Sequence, residues 1–361
     1  MKHLLSLATL LSLSIIFFSC EKNESPVLDL EDDIYIAADK AEFDEMKPIL
    51  LNVFEKEIFT PQQEKLYRVK RIDIQDIEKY QNRKNLIVAG ILNNNSTCGK
   101  FIDAILNDNE VNKLKSGSSP FIKKENLWSE NQLVIFLGAA SMEQLKKSLE
   151  DNKDLILAEY QKITEKMLSA GIYDHRYEKK DIQGHLLKNY NFMLYVQNDF
   201  KILKENKDED YVLLGSLNKD LSKIIFIHWM NNKSPNCLTS DSVKTIRNAF
   251  VNKINKVIGD SLKMTISVDS YSCDEVNFKG RYAIFMQGLW DYNDKDKGGP
   301  FLNYTFYDEK SKRIYMLDGA LYAPGFYKKN LIKQMDMVLQ SFMTGEEVSK
   351  DRRAELMDAS K

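Results

Sequence analysis

The sequence predicts an α+β protein built as two halves, each a sheet backed by helices. Two observations carry this prediction: long helical patterns stand beside alternating strand patterns, and strand patterns follow one another without helices late in the chain. We expect a ferredoxin-like first half at residues 32–180. The second half, at residues 181–343, should be a mainly antiparallel sheet backed by helices.

In the first half, strand and helix patterns follow in the order β-α-β-β-α-β-α. Residues 34–38 and 67–72 fit strands. The run 86–92 is apolar throughout, which is typical of a strand buried on both faces, and residues 132–137 fit another central strand. Helix patterns begin after Asp39, near Phe101 and after Ser141, where Ser141 and Gln144 fit a capping box.

In the second half, strand patterns dominate and two long helix patterns accompany them. The expected helices are 241–258 and 327–342, each with an apolar stripe at helical spacing. The expected strands cover 192–196, 211–214, 223–229, 264–268, 282–290, 301–307 and 313–321. We expect the charged residues 344–361 to be a disordered tail.

The first twenty residues carry the clearest functional signal in the chain. A basic start at Lys2 precedes an apolar stretch of about 15 residues, and Cys20 follows the small residue Ser19. The apolar stretch is shorter than the roughly 20 residues that span a bilayer. The pattern therefore predicts a lipoprotein signal peptide at residues 1–19 and acylation, including palmitate, on Cys20.

The polar residues 20–31 are expected to form a tether between the acylated cysteine and the folded part. Several acyl chains on one residue anchor a protein stably, whereas a single chain does not. The sequence thus predicts a lipid-anchored protein of the cell envelope, with the outer membrane as the expected membrane. The sequence is compatible with either the periplasmic face or the cell-surface face of that membrane.

Charge and cysteine content limit the classes of function. The chain has 51 basic and 53 acidic side chains in 361 residues, which argues against a nucleic-acid binder, since such a protein needs a concentrated basic face. Of the four cysteines, Cys237 and Cys273 are compatible with a disulfide, but buried free thiols fit the same pattern equally well. The spacing supports no metal site.

One candidate ligand-binding segment runs from Trp290 to Phe301. Trp290 and Asp291 precede a polar loop, and Gly298 and Gly299 follow it. The simplest interpretation is a hairpin in which the two glycines supply positive φ. The functional interpretation is a rim loop in which Trp290 and Asp291 contact a ligand. Its acidic residues lack the spacing of a calcium-binding loop.

A second candidate is the pair Lys328 and Lys329 at the start of the last long helix pattern. Positive charge in the first turn opposes the helix dipole, which favours acidic groups there. The pair therefore either holds an anion, with backbone N–H groups assisting, or simply extends into water. We expect no catalytic residue and no cofactor, because nucleophile-elbow, zinc-pair, P-loop and Rossmann motifs are missing from the sequence.

Several segments resemble, in order, an uncharacterised family of Bacteroidota-type lipoproteins defined by domain of unknown function 4837. They are residues 60–67, 83–88, 288–290, 298–301 and 318–324. The resemblance covers nearly the whole mature chain and is most specific in the C-terminal motifs. It differs at Tyr67, where the family has Phe, and at Lys84, which separates Arg83 from Asn85. The resemblance implies an envelope lipoprotein and brings no known activity.

Two hypotheses on function follow. The first is a non-catalytic envelope lipoprotein that binds a partner or assists assembly at the membrane. The alternative is an exported enzyme or small-ligand binder that uses the Trp290–Phe301 loop together with Lys328 and Lys329. The sequence favours the first, since no pairing of catalytic residue types is apparent.

Overall fold

The computed structural model describes residues 32–58, 60, 64–92, 95–231, 233–257, 264–292 and 297–360. The predicted signal peptide, Cys20 and the tether at 20–31 lie outside the described residues. Within the described part of the chain, no helix is both long enough and apolar enough to cross a membrane.

The first half is a five-stranded sheet between two layers of helices. Its helices are α1 (Lys40–Phe54), α2 (Thr97–Ile105), α3 (Asp108–Ser116) and α4 (Met142–Ile172). Its strands are β1 (Asp33–Ala37), β2 (Glu57–Ile58), β3 (Glu64–Lys65), β4 (Arg68–Ile72), β5 (Asn85–Ile91), β6 (Ile122–Glu125) and β7 (Leu133–Ala139). The short strands β2 and β3 pair only with each other.

The strand order of the first sheet is β4-β1-β5-β7-β6, and only the edge strand β6 is antiparallel to its neighbour. This sheet is more parallel than the ferredoxin-like order expected from the sequence. The reason lies in β5 and β7, which are buried on both faces, a pattern typical of parallel strands covered by crossover helices. Helices α1 and α4 cover one face, and α2 and α3 cover the other.

The second half is a seven-stranded, fully antiparallel sheet in the order β12-β13-β14-β15-β11-β10-β9. Its helices are α5 (Lys180–Tyr190), α6 (Ser240–Val257), α7 (Lys329–Gln340) and α8 (Lys350–Ala359). Its strands are β8 (Phe192–Met193), β9 (Lys201–Asn206), β10 (Tyr211–Leu217), β11 (Ser222–Asn231), β12 (Met264–Phe278), β13 (Arg281–Tyr292), β14 (Gly298–Asp308), β15 (Arg313–Tyr322) and β16 (Met343–Thr344). The predicted α+β class with two sheet-plus-helix halves is confirmed.

Helix α4 joins the two halves. At about 1.5 Å per residue its 31 residues extend about 46 Å. Its N-terminal part packs Leu145 and Tyr160 into the core of the first sheet, and its C-terminal part packs Leu168 and Ile172 into the core of the second. The two cores are therefore connected by one continuous helix and are not separated by a free linker.

Helix α6 covers the opposite face of the second sheet and places a buried ion pair there. Arg247 is fully buried, and its Nε donates to Asp318 Oδ2 at 2.5 Å while Nη2 donates to Oδ1 at 3.2 Å. The guanidinium lies 3.6 Å from the centroid of the Phe301 ring. Asn303 donates to the same carboxylate at 2.9 Å. This ion pair is thus buried in the core between α6 and the second sheet.

Residues 344–361, predicted to be a disordered tail, are folded as far as residue 360, so that prediction is wrong. Strand β16 pairs with β8, and α8 packs against α5 with Leu356 fully buried. Local pattern did not indicate this helix, because Leu356 is its buried residue and it has no apolar stripe. Arg352 binds Glu178 and thereby fixes α8 to the start of the second half.

Gly184 sets how closely α8 approaches α5. A Cβ atom at this position would lie 2.2 Å from the carbonyl oxygen of Leu356 and 2.8 Å from Cβ of Ser360. We expect Gly184→Ala to displace α8 and to lower the free energy of unfolding by about 1–3 kcal/mol. Hydrogen exchange of residues 350–359 should become faster. Lys188→Ala, an exposed change on the same helix, is the control and should leave that exchange unchanged.

Candidate binding cleft between the two halves

The N-terminus of α7 meets a carboxylate from the first half. The backbone N–H of Lys328 donates to Glu64 Oε1 at 2.7 Å and Oε2 at 2.8 Å, and the N–H of Lys329 donates to Oε2 at 2.9 Å. Glu64 is buried on β3. It therefore serves as the cap that α7 lacks locally, since no side chain near Lys328 caps the helix.

The side chains of Lys328 and Lys329 are buried, so the interpretation that they extend into water is wrong. Lys328 Nζ donates to the carbonyl of Phe326 at 2.8 Å. Lys329 Nζ donates to the carbonyl of Leu66 at 2.7 Å and forms an ion pair with Asp32. Burial lowers the pKa of both lysines. The anion expected at this helix start is thus a carboxylate of the protein itself.

Two cavities lie beside α7, and Lys333 lines both of them. The first, about 170 Å³, has a mainly apolar wall from both halves that includes Ile58, Leu66, Phe301 and Ile332. The second, about 310 Å³, lies between α4 and α7 and has a more polar wall with Glu165 and Asp336. Ligand pockets are commonly clefts of about 300–1,000 Å³ with apolar walls and a few polar groups. We call these two cavities together the interhalf cleft.

Lys333 is the one residue other than Lys329 that brings a positive charge to the described wall of this cleft. Its amine makes no hydrogen bond or ion pair with any described residue, and it lies 5.9 Å from the centroid of the Tyr67 ring. Burial lowers the pKa of Lys333 to about 8, and the neighbouring charge of Lys329 lowers it further in the same direction. The charges of Glu165 and Asp32 act in the opposite direction, and near neutral pH the amine is charged.

In contrast to Lys333, the nearby acidic side chain of Asp336 on α7 is held by hydrogen bonds. Burial raises the pKa of Asp336, although hydrogen bonds from Tyr304 at 2.7 Å and Gln340 at 2.8 Å partly offset that effect. Burial and the neighbouring Asp336 raise the pKa of Tyr304. Asp336 thus has two donors of its own and does not depend on Lys333. Opposed pKa shifts in one cleft are typical of functional sites.

Trp290 and Asp291 do not lie on an open rim. Trp290 is 4% exposed, belongs to the core beneath α6, and its indole N–H donates to the Leu321 carbonyl at 3.2 Å. The carboxylate of Asp291 accepts hydrogen bonds from the hydroxyls of Thr265 at 3.3 Å and Ser267 at 2.7 Å. The loop residues 293–296 between the two strands lie outside the described residues.

Gly298 and Gly299 have a packing role in place of the expected turn conformation. Neither has a positive φ angle, and both belong to β14. A Cβ atom at Gly299 would lie 1.9 Å from the Leu321 carbonyl oxygen, and one at Gly298 would lie 2.8 Å from the Trp290 carbonyl oxygen. The hairpin itself is present, since β13 and β14 are antiparallel neighbours. Close approach of three strands requires these glycines.

The cysteine predictions have different outcomes. Cys98 is a buried free thiol, and burial raises its pKa to about 12. Cys273 is a half-buried free thiol, while the side chain of Cys237 lies outside the described residues. Because the thiol of Cys273 is free, the predicted bond between Cys237 and Cys273 is not present in this structure. Among the described residues, no group of three or more His, Cys, Asp or Glu side chains is arranged to hold a metal ion.

Sequence reasoning found the neighbourhood of the cleft but missed Lys333 and Glu64. Gly288, Pro300 and Phe301 from the predicted loop motif do line the first cavity. Lys333 lies four residues after Lys329, so both point to one face of α7. This four-residue spacing was the feature of the sequence that could have identified Lys333. Glu64 carried none, because its partners are more than 260 positions away in the chain.

Comparison with protein families gives one match. A family described as a domain of unknown function, DUF4837, matches residues 179–341, from just before α5 to the end of α7. The chain is thus similar to this family over its second half, which confirms the resemblance there. Coverage of nearly the whole mature chain and membership of a Bacteroidota-type lipoprotein family stay predictions. No curated protein sequence matches the chain.

Solved structures show only distant similarity. The Ran-binding protein Mog1p of Saccharomyces cerevisiae has a TM-score of 0.29 and 8% identity, with 43% of this chain and 90% of that chain covered. LpqN, described as involved in cell envelope biogenesis of Mycobacterium tuberculosis, has a TM-score of 0.25 and 14% identity, with 42% and 82% covered. Similarity at this level supports no conclusion about activity, and the proposals below rest on the chain's own residues.

Proposed function

We propose that the protein is a lipid-anchored protein of the cell envelope that binds a small carboxylate in the interhalf cleft. One observation carries the binding proposal: the amine of Lys333 lines both cavities and has no hydrogen bond or ion pair among the described residues. Lys333 is half-buried, and a ligand that fills the cleft would bury its amine further, which is costly for a protonated amine without a counter-charge. A carboxylate ligand with an apolar body supplies that charge and fits the mainly apolar wall of the first cavity.

The chemistry of the cleft favours binding over catalysis. A nucleophile or base in an enzyme has a partner within hydrogen-bond reach that orients it. Lys333 has no such partner among the described residues, and Asp336 is held by Tyr304 and Gln340. A lysine with a lowered pKa can also form an imine with an aldehyde, with loss of water. Failure of borohydride to trap aldehydes on Lys333 is the result expected for a binding protein.

The binding proposal predicts that hexanoate raises the melting temperature of the protein, while hexanol at the same concentration does not. Ligand at 100 times its dissociation constant stabilises a protein by about 2.7 kcal/mol, which corresponds to a shift of a few degrees. The affinity should fall as the pH rises above about 8, because Lys333 then loses its proton. A lysine of ordinary pKa would keep its charge, and the affinity, up to about pH 10.

Two variants make this test specific. Lys333→Met should abolish the shift, whereas Lys147→Met, at an exposed lysine of α4, should leave it intact. An unchanged response of the Lys333→Met protein to hexanoate would contradict binding at this residue. So would the lack of any shift across straight-chain carboxylates of increasing length.

The anchoring proposal rests on the sequence before residue 32. The basic start, the apolar stretch and Cys20 support export and acylation, and the polar residues 20–31 support a tether. Mass spectrometry of the N-terminal peptide from membranes should find a lipid-modified Cys20 as the first residue. Cys20→Ser should leave the protein unprocessed. A native N-terminus at Met1 without lipid would refute the anchor and leave the cleft proposal untouched.

A further inference from the structure

Two aromatic side chains are exposed side by side in the loop between β15 and α7. Phe326 is 50% exposed and Tyr327 is 71% exposed, the highest value among the large apolar residues that are described as exposed. We call residues 324–327 the aromatic loop. The other exposed large apolar residues of the described chain stand singly, which is normal for a protein surface. Two adjacent aromatics therefore need a separate explanation.

The aromatic loop is held in place by its surroundings. The N–H of Phe326 donates to the Ala323 carbonyl at 3.2 Å, and Gly325 adopts a φ of +80°, which closes the turn. The Phe326 carbonyl accepts from Lys328 Nζ, and the next backbone N–H groups bind Glu64. These hydrogen bonds hold the turn in a conformation that exposes both rings.

The first described residue of the chain lies directly beside this loop. Tyr327 lines a small cavity of about 140 Å³ together with Asp32, Lys65 and Arg68. Asp32 is the first described residue, and its carbonyl accepts from the Arg68 N–H at 2.8 Å while its carboxylate pairs with Lys329. The proposed tether of residues 20–31 directly precedes Asp32 in the chain, so its point of attachment is a residue beside the aromatic loop.

The length of the tether sets how near this surface lies to the anchor. Twelve residues reach at most about 40 Å when fully extended, and about 20 Å as a flexible coil. A surface held at such a distance meets the bilayer at an effective concentration in the millimolar range. Tyrosine and phenylalanine favour the membrane–water interface, where a ring is buried while polar groups stay wet.

We infer that the aromatic loop inserts into the surface of the bilayer that carries the Cys20 anchor. The inference rests on the proposed anchoring and adds a contact surface and an orientation to it. The neighbouring basic residues Arg68 and Lys65 are paired with Asp33 and Glu55. The surface thus has little net charge, and insertion should not require anionic lipid. The surface of the second half opposite the aromatic loop then points away from the membrane.

Brominated lipid tests this contact without relying on acylation. Residues 21–361 with an N-terminal histidine tag are attached to phosphatidylcholine vesicles that contain a nickel-chelating lipid and acyl chains brominated near the headgroup. In Phe326→Trp, we expect the added tryptophan emission to fall by about half, since a ring inserted about 5–10 Å into the headgroup and acyl boundary reaches the bromine atoms. Anionic lipid should change this little.

Tyr282→Trp is the matched control. Tyr282 is 51% exposed, as Phe326 is, but it lies near the Arg313 end of β15, whereas the aromatic loop follows Tyr322 at the other end. Its emission should not be quenched. Equal quenching at both positions, or none at Phe326→Trp while the protein is vesicle-bound, would overturn the inference. Emission of Phe326→Trp that changes with protein concentration alone would overturn it in favour of self-association.

Discussion

Replacing Arg247 by methionine is expected to lower the free energy of unfolding by about 3–5 kcal/mol, the largest effect we anticipate for a single substitution. The variant leaves the Asp318 carboxylate buried, with Asn303 as its remaining side-chain donor among the described residues. A buried carboxylate without a counter-charge is strongly unfavourable. Urea unfolding followed by tryptophan fluorescence measures the effect, since Trp229 and Trp290 lie in the second sheet.

Two further proteins separate the ion pair from the loss of arginine itself. Arg176→Met removes an arginine that is 75% exposed and paired with Asp174, and it should change stability by less than about 1 kcal/mol. The double variant Arg247→Met, Asp318→Leu should recover most of the stability lost by the single one, because no charge stays buried. If the double variant lost as much stability as Arg247→Met and Asp318→Leu lose in sum, this explanation would be contradicted.

Glu64→Ala is expected to cost about 2–4 kcal/mol and to loosen the contact between the two halves. The substitution leaves the backbone N–H groups of Lys328 and Lys329 buried without their acceptor. It also removes a carboxylate beside two buried lysines. We expect a lower melting temperature together with faster hydrogen exchange of these two amides.

Lys65→Ala is the control for Glu64→Ala, because it alters the neighbouring residue on the same short strand. Lys65 is about half exposed and pairs with Glu55, so its loss should change stability by less than about 0.5 kcal/mol. If Glu64→Ala behaved like Lys65→Ala, the carboxylate would not be the cap of α7.

The regular elements of this chain were largely predictable from local pattern. The stripe of Val243, Ile246 and Phe250 predicted a helix over 241–258, and α6 spans Ser240–Val257. The alternation from Arg313 predicted a strand to residue 321, and β15 ends at Tyr322. Such elements follow from burial of one face, which repeats at short intervals along the sequence.

Other features depended on contacts that no local pattern contains. Strand β12 continues to Phe278, well beyond the predicted residue 268, because β13 pairs with it along that length. Leu356 alone did not predict that α8 would fold onto α5. The two lysines at the start of α7 left an anion and extension into water as alternatives, and the carboxylate that meets this helix start, Glu64, belongs to the other half. Tertiary contacts of this kind override local preference.

The interhalf cleft illustrates the same limit. Its walls come from β2, β13, β14, α4 and α7, and a sequence motif linked only β13 and β14 among these segments. Lys333 looks like any lysine of an amphipathic helix until α4 and the first half cover it. That packing lowers the pKa of Lys333, and the periodicity of the sequence does not predict such packing.

The most direct test of the cleft is the titration of the Lys333 amine itself. In protein labelled with ¹³C at lysine Cε, the resonance assigned through Lys333→Met should titrate with a pKa near 8 and should move to a higher pKa when hexanoate is bound. A pKa near 10.4 in the free protein, the ordinary value for lysine, or a titration that hexanoate does not change, would contradict a carboxylate-binding cleft at Lys333.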